Sequence, residues 1–575
     1  LIPIQHIKEV VAEQPLYFTS TSDPMNRYFL ICFLLVNAGC KKNPGSGPTQ
    51  PATPFRLLSL QVTGAHPPAY YSVAVNPEIS ISFSAPVDHS SVIQNISLKD
   101  DAGVETALSS AFSHNDSTVT LTASAALKPI QKYHLKISSG LQSQSKLDLP
   151  ADTSLALVTA IDSADKFPRI TDSALLTLVE QQTFKYFYDF GHPVSGLARE
   201  RNSSGDVVTT GGSGFGVMAL LVGIQRNFIS KTEALTRLTQ IVTFLTDKAQ
   251  RYHGAFPHWM NGVTGATVPF SAQDDGADLV ETSYMLQGLL CARQFFNGSS
   301  PEEIALRTNI NSIWQDVDWQ WFRQNDQNVL YWHWSPDMNW AINMKISGWN
   351  ETLIVYALAA SGNNPIPKIV YDNGWALNGS IKNGNSYFGV QLPLGPPLGG
   401  PLFFAHYSFL GINPKGLSDA YADYWTQNTA HTQINYNYCV ANPKGYNGYS
   451  RLCWGLTAGD DNITGYSAHS PTNDLGIISP TAAISSLPYS PTESLNALKF
   501  FYYTLGDKLW GPYGFTDAFN LSDPWFASSY LAIDQGAEIV MIENYRSGLL
   551  WNLFMSCPEI KTGMKSLGFQ SPQWN

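Results

Sequence analysis

The segment Asp274-Asp275-Gly276-Ala277-Asp278-Leu279-Val280-Glu281-Thr282-Ser283-Tyr284-Met285-Leu286-Gln287-Gly288-Leu289-Leu290 runs from clustered acids straight into an apolar stretch. Read as a helix, it sets Asp274, Asp278 and Glu281 at i, i+4 and i+7, on one face. Leu279, Met285, Leu286, Leu289 and Leu290 supply the core-facing side. A carboxylate buried without a partner raises its pKa, which is the state a general acid needs near neutral pH. Acids in a first helical turn also answer the helix dipole and cap free N–H groups. That reading covers Asp274 and Asp275 and leaves Glu281, two turns in, unexplained. Perturbed carboxylates mark structural networks as well as active sites, so the segment alone leaves both readings open.

Helical periodicity continues on both sides of it. The pattern predicts helices over 172–190, 214–228, 231–253, 276–296, 301–324, 346–361, 419–440, 492–505 and 528–553, with weaker signals at 368–378 and 481–487. Gly/Pro/Asn/Tyr-rich loops at 387–400 and 455–480 are long enough to suggest function. Two rings of helices closed into an α/α toroid fit this count. A helical solenoid is the competitor, and the lack of any fixed-period repeat weighs against it.

Residues 55–162 read differently. Ile79-Ser80-Ile81-Ser82-Phe83 and Tyr133-His134-Leu135-Lys136-Ile137 alternate, with turn residues between such runs. This is the pattern of a small all-β sandwich, and it resembles the bacterial immunoglobulin-like modules. Upstream, Met25-Asn26-Arg27, an apolar run over 28–36 and Ala38-Gly39-Cys40 read as a secretory signal within residues 1–40, with Met25 as the true start. Cys40 is then the lipidation site of a bacterial lipoprotein, although Asn37 stands where an aliphatic residue is expected. Residues 41–54 are a Pro/Gly-rich tether. The expected location is the periplasm or cell surface, with a lipid anchor as the sole membrane contact.

The chain of 575 residues carries 34 Lys+Arg against 45 Asp+Glu and has no basic run, which argues against nucleic acid. All 15 Trp fall at or after Trp259. Seven of them, from Trp314 to Trp349, crowd together, as a cleft stacking sugar rings or an aromatic core would require. Cys291 reads as a buried thiol, while Cys439 and Cys453 bracket a loop that a disulfide could close. There is no CxxC pair and no HExxH, so no strong metal signal exists.

Five ordered motifs carry a resemblance: DDGADLVETSYMLQGLL (274–290), GWNETLIVYALA (348–359), WGLTAGDD (454–461), GPYGFTDAFN (511–520) and AIDQGAEIVMIENYRSGLLW (532–551). Together they resemble the glycoamylase family, and more closely the endo-β-1,2-glucanases of glycoside hydrolase family 144. Gly459 departs from the Ser expected before the acidic pair. The resemblance implies an (α/α)6 barrel over residues 163–575, inverting hydrolysis of a β-glucan, and no metal or other cofactor. The expected partner is a β-glucan poly- or oligosaccharide, and the chain is expected to be a monomer.

Within that frame Glu351 is the candidate general acid, and Asp278 and Glu281 are candidates for activating or positioning water. Asp460 and Glu543 complete the catalytic candidates. Asp274, Asp461, Asp534, Tyr545, Arg546 and the indoles of Trp259, Trp334, Trp349 and Trp454 are candidates for gripping sugar. Plainer readings stand beside these. Asp460 and Asp461 suit a loop turn, Glu543 and Arg546 suit an i, i+3 pair, and Asp534 suits a helix break. Another glucosidase or transglycosylase on the same barrel, or a glycan-binding protein without turnover, remains open.

Overall fold

The structure is a computed structural model describing residues 54–66 and 69–574. The expected signal segment, the Cys40 lipidation site and nearly all of the tether lie outside the described residues. Among the described residues, no helix is long and apolar enough to cross a membrane. Two compact units divide between Ala160 and Ile161, close to the expected boundary at 162.

Among the described residues, the first unit has nine strands: β1 Leu57–Val62, β2 Tyr70–Val73, β3 Glu78–Phe83, β4 Ile96–Asp100, β5 Glu105–Thr106, β6 Leu108–Ser113, β7 Thr118–Ala123, β8 Lys132–Ile137 and β9 Thr153–Thr159. They form two sheets, ordered β1-β3-β7-β6 and β2-β9-β8-β4-β5. The alternation seen in sequence is the inward–outward pleat. Ile79, Ile81 and Phe83 of one sheet share a core with Leu98, Leu135 and Ile137 of the other.

The second unit is helical. Its main helices are α1 Asp172–Tyr188, α2 Thr210–Gln225, α3 Lys231–Asp247, α4 Leu279–Phe295, α5 Pro301–Gln315, α6 Leu353–Ala359, α7 Tyr424–Ala441, α8 Pro480–Ser485, α9 Pro491–Lys499, α10 Ala532–Arg546 and α11 Pro558–Leu567. They sort by burial. From Thr210 to Gly223, α2 is wholly buried, as is α4 from Leu279 to Arg293. Helices α6 and α8 are buried throughout, and α10 nearly so. A helix that is apolar or small-residued all round has to be enclosed. By contrast, α3, α5, α9 and α11 bury a single stripe. The domain therefore has an inner and an outer layer of helices.

The inner helices approach closely and run the same way. A Cβ on Gly288 would lie 2.0 Å from the Gly214 carbonyl oxygen, so α2 and α4 need glycine there. Gly211 at the start of α2 touches Glu281 in the first turn of α4. Gly212 likewise lies beside Ala532 at the start of α10, while Arg226, at the far end of α2, pairs with Glu543 near the end of α10. The N-termini of α2, α4 and α10 are thus gathered at one end of the domain.

Several expectations are corrected. The 528–553 helix is broken at Gly548 (φ 72°), giving α10 and a separate helix Leu549–Met555. The helix expected from 276 begins at Leu279, and Ala277–Asp278 is a short strand paired with His333–Trp334. Asp274 and Asp278 therefore do not share a helix face with Glu281. Asp460 and Asp461 lie not in an open loop but in the hairpin Ala458–Asp461/Gly465–Ala468. Asp534 sits in an unbroken first turn of α10 rather than at a helix break. Helix α11 had no counterpart among the expected helices. Cys439 and Cys453 are free buried thiols, and Cys291 is buried as expected.

Candidate active site

Two carboxyl clusters occupy the end of the domain where the inner helices begin. In the first, Asp278 caps α4. Its Oδ1 accepts from the N–H groups of Val280 and Glu281, both at 2.9 Å. That turns Oδ2 toward His258 Nδ1 at 3.1 Å and His333 Nε2 at 3.5 Å. Burial opposes ionisation of Asp278, but the hydrogen bond from His258 and the neighbouring His333 imidazole outweigh it and hold the carboxyl below the usual range. Burial likewise opposes the charge on His258, yet Glu281, Asp278 and Asp274 raise its imidazole to about 9. Asp274 is buried in a tight turn with Ser271, its Oδ2 3.5 Å from His333.

Glu281 comes next. Its Oε2 accepts the Gly211 N–H at 2.6 Å, at the start of α2. A Cβ on Gly211 would lie 2.6 Å from that oxygen, so only glycine admits the contact. Burial raises the Glu281 pKa, and the Asp278 charge adds to the rise. Glu351 lies just before α6, where Ser408 Oγ donates to its carbonyl and Tyr284 OH lies 3.4 Å from the same oxygen. Burial pushes its carboxyl up to about 8, with Asp278 and Glu281 adding repulsion. An ionised Asp278 thus stands near a Glu351 that is protonated at neutral pH.

The second cluster lies across the Tyr284–Tyr407 pair, whose ring centroids are 5.8 Å apart. Tyr407 OH lies 3.3 Å from Asp534 Oδ1. Burial pushes Asp534 up to about 7, and burial with the neighbouring Asp534 and Asp460 charges raises Asp517 well above its ordinary value. Asp517 Oδ2 accepts the Asp460 N–H at 2.6 Å. Asp460 itself receives Ser529 Oγ at 2.5 Å and Arg201 Nη1 at 3.1 and 3.2 Å. One turn along α10, Glu538 accepts from Thr183 at 3.0 Å, and burial raises it to about 8.

Other sequence candidates fall elsewhere. Glu543 is clamped by Arg226 through two bonds of 2.6 and 2.9 Å, and Arg546 pairs with Glu180. Nine residues separate Asp534 from Glu543, about 13 Å along a helix. This network and the half-exposed Tyr545 therefore belong to the opposite end of α10, away from both clusters. Trp349 and Trp454 are core: Trp349 donates to His431 at 3.2 Å, and Trp454 is fully buried. Asp461 accepts from the N–H groups of Ile463 and Gly465, shaping the hairpin turn. Trp259 and Trp334 remain partly exposed. Trp259 packs with Phe270 at 4.8 Å, and Phe270 stacks on His258 at 4.3 Å.

Sequence reasoning passed over His258, His333, Arg201, Tyr407, Asp517 and Glu538. Asp517 and Glu538 stand inside motifs already quoted, and a count of acids within them would have found both. The two histidines join the site through chain pairings that no local spacing encodes.

Carboxyls held partly protonated and partly ionised at one end of a layered helical domain suit acid–base cleavage of a glycosidic bond, and the comparisons assign the class. The family model described as "Putative glucoamylase" matches residues 343–558, and a bacterial Ig-like domain model matches 59–159. A "putative glucoamylase" structure from Bacteroides uniformis is 55% identical, covering 71% of this chain and 100% of its own, with a TM-score of 0.70. The endo-beta-1,2-glucanase of Chitinophaga pinensis, solved with sophorotriose and glucose, is 51% identical, covering 70% and 100%, with a TM-score of 0.69. An exo beta-1,2-glucooligosaccharide sophorohydrolase of Parabacteroides distasonis is 44% identical over an alignment of 428 residues that covers 70% of this chain and 59% of that protein. The chain thus spans less than two thirds of that curated relative. It belongs to the glycoamylase-like family of glycoside hydrolases.

Proposed function

We propose that this protein hydrolyses β-1,2-linked glucan internally and with inversion, in the mouth of an (α/α)6 barrel whose inner ring includes α2, α4, α6, α8 and α10. The observation that carries the reading is Glu351, a carboxyl raised to about 8 near an Asp278 held ionised. Glu351 protonates the leaving oxygen. Asp278 and Glu281, on the same side, sustain the charge that keeps Glu351 protonated and grip the sugar. Inversion requires a base on the opposite face of the ring, with a water between. The carboxyls across the Tyr284–Tyr407 pair, Asp460 and Asp534, suit that task better than Asp278 or Glu281. Trp259 and Phe270 offer the sugar a flat wall beside His258.

The β-1,2 linkage and endo action are supported by the Chitinophaga enzyme, whose whole solved chain is matched at 51% identity. The Parabacteroides enzyme supports the linkage and the competing exo action. A lipid anchor on Cys40, which would hold the enzyme at a bacterial surface, rests on the sequence alone. The test is a panel of linkage-defined glucans followed by product sizing and NMR. An endo enzyme yields a ladder of β-1,2-oligosaccharides with α-configured new ends. Sophorose as the sole early product overturns endo action, a β-configured first product overturns inversion, and turnover confined to another linkage overturns the substrate.

A further inference from the structure

Three side chains in the first cluster converge, and a fourth stands beside two of them. His258, Asp274 and Asp278 each offer one donor atom, all within 4.8 Å of one another. His333 joins them with Nε2 at 3.5 Å from both Asp274 Oδ2 and Asp278 Oδ2. Those two separations exceed the usual hydrogen-bond length. With metal–ligand bonds of 2.0–2.1 Å, the edge of a tetrahedral site is roughly 3.3 Å. Three of the edges, 3.1 Å for His258–Asp278 and 3.5 Å for the two His333 contacts, straddle that value, and the others among His258, Asp274 and Asp278 stay within 4.8 Å.

The surroundings also fit. Asp278 Oδ1 is engaged by two helix N–H groups, which fixes Oδ2 toward the imidazoles, as outer contacts orient ligands at metal centres. Asp274, Asp278 and His333 are nearly or fully buried, and His258 stays about a quarter exposed at 24%, leaving a way in. Two imidazoles and two carboxylates favour zinc, copper, nickel or cobalt over calcium or magnesium, which prefer six or more oxygens.

We propose that His258, Asp274, Asp278 and His333 form an inhibitory site for a divalent transition-metal ion. The ion takes the place of the proton shared by His258 and Asp278. It thereby occupies carboxylates that the sugar and Glu351 depend on, so a bound ion and a productive substrate exclude each other. The ion here is an inhibitor and takes no part in hydrolysis. Only the inhibition rests on the function proposed above, and binding can be read without it.

The experiment titrates Co2+ into the full chain and records its visible spectrum. One ion per chain is expected, with the intense bands of four-coordination, displaced by Zn2+. His333→Gln and His258→Gln should each weaken binding at least ~10-fold, the smallest loss usual even for an outer-shell change. The exposed His114→Gln should leave it unchanged. With β-1,2-glucan as substrate, Zn2+ should stop turnover and EDTA restore it. A weak six-coordinate spectrum on the unaltered chain, or affinity untouched by both site substitutions, overturns the proposal. Tight binding with full turnover overturns the inhibitory part. Tight binding by a chain that cleaves no β-1,2-glucan overturns the function reading and leaves the ion site standing.

Discussion

Replacing Glu351 with Gln removes a proton that the structure holds in place at neutral pH. The carboxyl is pushed from 4.5 to about 8, first by burial and then by Asp278 and Glu281. At pH 6.5 a group at 8 is roughly 97% protonated, whereas one at 4.5 would be about 1% protonated, so the environment supplies ~100-fold in competent acid. A general acid works only while protonated. In the unaltered enzyme kcat/KM should therefore fall about tenfold per pH unit above pH ~8. Glu351→Gln should lower kcat by ~10²–10⁴ on β-1,2-oligosaccharides and erase that alkaline limb. A glycosyl fluoride, whose leaving group departs with little protonation, should be cleaved by the variant at a rate near that of the unaltered enzyme. The assay is initial rate against pH for both substrates, with circular dichroism to show that the variant folds. Activity within a few-fold of the unaltered enzyme, or an unchanged alkaline limb in the variant, would refute the assignment.

Glu281→Gln should move the alkaline limb to lower pH, because one charge raising Glu351 is gone; a limb that stays put would show that Glu281 does not act on it. Glu543→Gln should lower the melting temperature, since freeing a buried partner of Arg226 costs on the order of 3 kcal/mol, while turnover per folded molecule persists. Lost turnover at unchanged melting temperature would return Glu543 to the site. Residues 161–575 expressed alone should fold and hydrolyse soluble substrate, because solved relatives match 70–71% of this chain with 100% of their own; an inactive, well-folded fragment would make the sandwich part of the catalytic unit.

The sandwich and the inner helices were legible because their patterns are local. Ile79-Ser80-Ile81-Ser82-Phe83 states its own period, and the charge-free run of α2 can only be enclosed. Helix ends were less legible. Gly548 adopts a positive φ that stops α10, yet an isolated glycine in a helical pattern is often tolerated. The site was legible in composition and not in geometry. Asp278 was picked for a helix face it does not occupy; it works as a cap held by two histidines, His258 from an earlier segment and His333 from a strand 55 residues downstream. In sequence Glu543 reads as the i, i+3 partner of Arg546 and Asp534 as a residue at a helix break. Nothing in the spacing shows that nine residues carry Glu543 to the other end of a buried helix, where arginines meet it.

That contrast accounts for the chemistry at the other end. Parallel inner helices bring several N-termini together, and each presents unpaired N–H groups and the positive end of a dipole. Carboxyls gathered there do not share the benefit equally. Asp278 takes two N–H groups and two imidazoles and stays ionised. Glu281 has the Gly211 N–H, against burial and a charged neighbour. Glu351 precedes its helix, lies in the field of both, and keeps its proton. One fold feature thus sorts neighbouring carboxyls into acid and anion, the separation that acid–base catalysis requires. Across Tyr284 and Tyr407 the sorting repeats, with Asp460 paired to Arg201 while Asp517, Asp534 and Glu538 are raised. On the function proposed above, a sugar lying over the tyrosine pair would meet Glu351 on one side and Asp460 or Asp534 with a water on the other, the order of groups that inversion demands.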